Sequence, residues 1–121
     1  MVDFSNLNKM CSWERKKAIY LTEVAEKLDM DVEGYGELAV NPNSGYTYLW
    51  LEDYPFTLYM PIDCELNVDD VMVMWSSPED GEEFEIELEN KTQEDLFKWV
   101  KEREEEDAKR IQEKVKSDEK K

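Results

Sequence analysis

Between Glu82 and Glu89 the chain alternates without a break, with Phe84, Ile86 and Leu88 on one side of the count and Glu83, Glu85, Glu87 and Glu89 on the other. A period of two is the mark of an extended strand with one face in a core and the other in water. This strand closes a stretch with a second peculiarity. From Leu28 to Asn90 there is no Lys or Arg, although those residues number 15 in 121 overall. At that frequency the 63 residues of the stretch would hold about eight, so the distribution is patterned. The same residues carry 17 carboxylates.

The rest of the stretch also reads as strands. Tyr35 to Val40 is a first candidate, closed by the turn-forming run Asn41-Pro42-Asn43-Ser44-Gly45. Tyr46 to Leu51 follows, with Tyr46, Tyr48 and Trp50 on one face and Thr47, Leu49 and Leu51 on the other. Asp53-Tyr54-Pro55 then leads into Phe56 to Met60, which gives a hairpin. Val71 to Trp75 is apolar on both faces and predicts a central strand covered on two sides. Ser77-Pro78-Glu79-Asp80-Gly81 turns the chain into the acidic strand.

Helical signals flank the stretch. Leu21, Val24, Ala25 and Leu28 recur at helical spacing in a helix starting near Ser12, its expected N-cap. Arg15, Lys16 and Lys17 crowd the first turns and are expected on a solvated face. Residues 21–28 look like the first helix of a helix-turn-helix, but two glycines and no basic residue follow where a recognition helix belongs. Near the other end, Thr92 and Asp95 form a capping box ahead of Leu96, Phe97, Trp99 and Val100. The expected fold is α+β: an N-terminal helix, an antiparallel sheet of four or five strands, and a C-terminal helix on one sheet face with a charged helical tail. Residues 1–11 are expected to be irregular, 12–101 to form one domain, and 102–121 to extend the last helix and fray from about Lys116. That tail keeps only Ala108, Ile111 and Val115, enough at most for weak pairing with a second copy.

An apolar content of 40% with four Trp supports a packed core. Two cysteines, Cys11 and Cys64, are too few for a disulfide framework. The first residues lack a basic and apolar leader, and no apolar run nears the roughly 20 residues of a membrane span, so a cytoplasmic protein is expected.

Catalytic chemistry finds little to use. The absence of histidine removes the commonest general base and zinc ligand, and four glycines contain no phosphate-cradling pattern. Asp63, Glu65, Asn67 and Asp69 are spaced like the front of a calcium loop, but Val68 stands where glycine is required and Met74 where the closing Glu belongs. A divalent-metal nuclease is the best enzymatic alternative, with Glu89-Asn90-Lys91 after Asp63, Asp69 or Asp70. Acid-x-Lys triplets also occur at residues 14–16, 107–109, 118–120 and 119–121, so this pattern carries little information.

Charge carries more. Residues 1–30 hold five basic and five acidic groups and residues 91–121 hold ten of each, so the whole net charge of −16 sits in residues 31–90. Such a field repels nucleic acid and anionic membranes and attracts basic protein surfaces. Alternate strand residues lie about 6.8 Å apart, and two unit charges at that distance repel by about 0.6 kcal/mol in water, roughly halved by salt. A solvated edge that resists aggregation therefore accounts for the glutamate row, though not for the missing lysines. The combination is similar in character, though not in any motif, to DNA-mimic inhibitors such as phage anti-restriction and anti-CRISPR proteins.

The expected function is that of a non-enzymatic inhibitor of viral type, without cofactor or metal, occupying the nucleic-acid-binding surface of a basic partner protein. Its expected contact residues are Glu83, Glu85, Glu87, Glu89, Asp69, Asp70, Glu79, Asp80 and Glu82, with Tyr46, Tyr48 and Trp50 as aromatic hot spots. A mimic needs a second acidic row beside the first, because one Glu row has half the charge density of a single nucleic-acid strand. The alternative is a regulatory or assembly module that binds through an apolar surface.

Overall fold

The computed structural model describes residues 2–78 and 81–119, with side chains from Phe4 to Glu113 within those limits. The chain runs β1 (Val2–Asp3), a 3-10 turn (Ser5–Lys9), α1 (Ser12–Lys27), β2 (Gly36–Val40), β3 (Thr47–Leu51) and β4 (Thr57–Met60). A second 3-10 turn (Val68–Asp70), β5 (Met72–Ser76), β6 (Glu83–Glu87) and α2 (Gln93–Glu119) complete it. The fold is α+β, as the sequence predicts. The six strands lie in chain order. β2 to β6 form an antiparallel meander, and β1 adds a two-residue parallel edge beside β2. That edge and the 3-10 turn replace the irregular start expected for residues 1–11. A two-residue pairing leaves no periodicity to read.

Alternation sorts each strand into two faces. The inner face carries Leu38, Leu49, Leu51, Leu58, Met60, Val73 and Trp75, all buried in one core. Both helices pack on this face. α1 contributes Ala18, Leu21, Val24 and Ala25, and α2 contributes Leu96 and Val100. Phe97 reaches from α2 to Phe56 and Tyr54, and the Arg103 guanidinium lies over Phe84. Among the described residues no helix covers the outer face, so β5 is not the doubly covered strand its composition implies. Val73 and Trp75 point inward, while Met72 and Met74 are half-buried on the open side.

The ends of α1 show why it spans these residues. Its N-cap is Cys11, not Ser12, because Glu14 reaches back to the Cys11 N–H at 2.9 Å and the Cys11 side chain accepts from the Glu14 N–H. It stops at a left-handed residue, Asp29 (φ 58°), with the Met30 N–H on the Ala25 carbonyl and the Asp29 N–H on that of Glu26. Lys17 departs from the expected solvated face. It is 1% exposed, its Nζ donates to the Pro61 carbonyl at 3.2 Å, and the Trp13 ring lies 5.8 Å away. Aliphatic stem and paired ammonium together allow a lysine to be buried there.

The Thr92–Asp95 capping box forms in both directions, at 2.9 and 3.2 Å, and opens α2. The Gln93 amide donates to the Leu28 carbonyl, tying the start of α2 to the end of α1. Further along, buried Asp107 accepts from the Ser77 hydroxyl at 2.6 Å and pairs with Arg110, which also reaches Glu82 at 2.9 Å. This network fastens the outer half of α2 to the β5–β6 turn. The helical backbone continues through Glu119, past the expected fraying point at Lys116.

The β2–β3 turn fixes the edge of the open face. Asn41 Oδ1 accepts from the N–H groups of Asn43 and Ser44, and Gly45 adopts φ 75°. The positive φ favours glycine there, and a Cβ at Gly45 would also have to push the exposed Ile62 side chain aside.

Candidate interaction face

The open face of the sheet joins the two features the sequence kept apart. Register places Trp50 between Glu37 and Thr57, Thr57 beside Met74, and Met74 beside Glu85. The next outward row runs Ala39, Tyr48, Tyr59, Met72, Glu87. The centre of the face is therefore aromatic and methionine-rich, and carboxylates stand on both margins. None of these strands contains a Lys or Arg.

Tyr46, Tyr48 and Trp50 share this face as the sequence predicts, with Tyr46 and Trp50 each 37% exposed. Tyr46 stacks on Tyr59 with centroids 5.0 Å apart, and Tyr35 meets Trp50 edge-on at 6.0 Å. Two phenols of the centre feel the carboxylates of the margins. Burial, followed by the Glu37 carboxylate, raises the Tyr48 pKa above 10.0. Burial, then the Glu85 carboxylate, pushes the Tyr59 pKa far above 10.0. Both hydroxyls remain protonated at neutral pH. A cleft of about 220 Å³ opens among Glu37, Tyr46, Tyr48, Trp50, Tyr59 and Met74.

The acidic residues divide into two sets. Glu83, Glu85 and Glu87 are exposed on the outer face of β6, the edge strand. The other described residues named from the sequence lie elsewhere or serve the fold. Glu82 pairs with Arg110 of α2, and Asp70 accepts the Glu65 N–H at 2.7 Å within its own loop. Asp69 and Glu89 meet beyond the end of β6, where the Asp69 charge and a hydrogen bond to it raise the Glu89 pKa above 4.5. Asp69 also acts on Tyr20 of α1, so this pair belongs to the sheet's end. Glu79 and Asp80 lie outside the described residues. The loop 63–70 therefore does not supply a second acidic row beside the first. Opposite the Glu row stands Glu37, four strand spacings or about 19 Å away.

Sequence reasoning missed Glu37, Tyr59, Met72 and Met74 as parts of this face. Their signal was parity. Tyr59 alternates with Leu58 and Met60, and the two methionines alternate with Val71, Val73 and Trp75.

Of the nuclease constellation, Asp69 and Glu89 come together and Lys91 pulls the Glu89 pKa down against them. Among the described residues, no group of three or more Cys, Asp or Glu converges on a point that a metal ion would fill. Lys17 lies close enough to Cys64 to favour its thiolate, but burial outweighs it and pushes the Cys64 thiol up. No described helix is long and apolar enough to cross a membrane. No family model, curated protein or solved structure matches the chain.

Proposed function

We propose that the protein is a non-enzymatic binding protein whose open sheet face occupies a basic, nucleic-acid-binding surface of a partner, as anti-restriction and anti-CRISPR DNA mimics do. The observation that carries this reading is a sheet face free of Lys and Arg on which Glu83, Glu85 and Glu87 stand beside a partly exposed aromatic centre. Carboxylates steer a basic surface into encounter, and Tyr and Trp supply the desolvated contacts that hold it. With one Glu row at about 6.8 Å spacing, the face imitates the field of a nucleic acid more than its phosphate geometry. The site of action is the cytoplasm, a host's if the source is viral.

The test is a pull-down with the protein as bait, eluted by a salt gradient and in parallel by duplex DNA. Basic nucleic-acid enzymes released by moderate salt and by DNA, and lost when Glu83, Glu85 and Glu87 are changed to Gln, support the reading. Partners that survive high salt and the Gln variant instead favour an assembly module working through the aromatic centre. The observation behind that second reading is the exposure of Tyr35, Tyr46 and Trp50 on an uncovered sheet.

A further inference from the structure

We infer that the cleft in the open face is a socket for one arginine side chain of the basic partner. The inference rests on the proposed function and names the contact that would give it specificity.

Three observations converge on that occupant. The first is size. Small-molecule sites run to about 300–1,000 Å³, whereas this cleft holds about 220 Å³, suited to one side chain and shallow for a cofactor. The second is the lining. Tyr46, Tyr48, Trp50 and Tyr59 present rings, and Met74 presents a polarisable thioether. A cation over Trp or Tyr is held by the ring quadrupole, and a planar guanidinium also stacks on it. The third is charge. Glu37 lines the cleft and no Lys or Arg does, so the one charged group an entering cation meets there is a carboxylate.

The cleft is also held in shape before anything enters. Glu37 lines the cleft beside Tyr48, and a carboxylate has acceptor sites enough for a guanidinium fork. Tyr35 braces Trp50 edge-on, and the Tyr46–Tyr59 stack fixes another part of the lining. Preorganised rings lose little rotamer freedom on binding. Arginine is preferred to lysine because a flat, weakly hydrated fork can stack and bridge a carboxylate at once, whereas an ammonium is a hydrated point charge.

The experiment titrates the full chain, labelled with ¹⁵N, with a capped glycine–serine peptide containing one arginine. Matched peptides carry lysine or citrulline instead. Each of the four Trp reports through its indole N–H, with Trp50 assigned from Trp50→Phe. The expected result is a saturable shift of the Trp50 indole by the arginine peptide, weaker with lysine and absent with citrulline. Trp50→Ala should weaken binding by roughly three- to thirtyfold, the range of a cation–π contact. Glu37→Gln keeps the size of an exposed side chain, so its weakening reports the charge and not the fold. Equal binding of the citrulline peptide overturns the socket. So do shifts confined to Glu83, Glu85 and Glu87 with Trp50 unmoved, although the broader reading then stands. If the arginine peptide leaves the whole face unmoved and the pull-down yields no basic partner, both fall.

Discussion

The attraction between the Tyr59 phenol and the Glu85 carboxylate can be separated from the repulsion around it by comparing two variants. In the row Glu83, Glu85, Glu87, the neighbouring pairs are two residues apart on one strand, or about 6.8 Å. At 0.15 M salt, screening reduces each repulsion from about 0.6 to about 0.25 kcal/mol. Glu83→Gln with Glu87→Gln removes both neighbouring repulsions and leaves Glu85 charged. Glu85→Gln alone removes the same two. Glu85→Gln therefore relieves about 0.5 kcal/mol, and the double change about 0.7 because Glu87 also repels Glu89. Only Glu85→Gln replaces the charged neighbour of the Tyr59 phenol by a neutral amide, at a cost of about 1 kcal/mol. The double variant should be more stable than the parent by about 0.7 kcal/mol, and Glu85→Gln less stable by about 0.5. Urea unfolding at 0.15 M salt measures both without adding ions. If Glu85→Gln is as stable as the double variant, the phenol–carboxylate attraction contributes nothing and the margin of the face is not fixed as argued.

Three further outcomes follow from the structure. Tyr59 and Tyr48 have folded pKa values raised above 10.0, so their stabilisation is fully present below pH 10 and is lost as pH rises through the folded values. Urea midpoints should accordingly fall above pH 10, and less steeply in Tyr59→Phe than in the parent. Asp107→Ala removes the acceptor that buried Ser77 shares with Arg110, which keeps Glu82, and should cost about 1–3 kcal/mol by the same assay. A loss below about 0.5 kcal/mol would mean the network does not fasten α2. Glu89 should titrate above 4.5 by carboxyl NMR and move down when Asp69 is changed to Asn, and an unmoved midpoint would refute their contact.

The α+β class, both helices and all five antiparallel strands were readable in the sequence because each rests on local chemistry. The alternation of Phe84 and Ile86 with glutamates sets β6, and the Thr92–Asp95 box sets the start of α2. What escaped depends on distance. Lys17 reads as solvated because the Pro61 carbonyl it donates to is 44 residues away in the chain, although Trp13 stands one helical turn before it. Met72 and Met74 look like core because composition cannot show that the second layer above β5 is missing. The candidate site was visible as two halves, the Glu row and the Tyr46–Trp50 face. Only the register across β3, β4, β5 and β6 makes them one surface. Asp70 and Glu82 carry the same charge as the row, but their hydrogen bonds direct them to the loop and the helix.

A sheet whose spatial order is its chain order also bears on how the molecule is assembled. Each hairpin from β2 to β6 joins neighbours in sequence, so the meander forms with little loop-closure entropy and favours rapid folding. The parallel β1–β2 contact must instead wait for α1 to span the intervening chain. α2 follows the sheet in synthesis, and until it docks, Phe56 and Phe84 lack the cover of Phe97 and Arg103. During that interval the outer face and the part of the inner face that α1 does not cover meet water, and mutual repulsion among the carboxylates keeps one unfinished chain from adding its edge to the next.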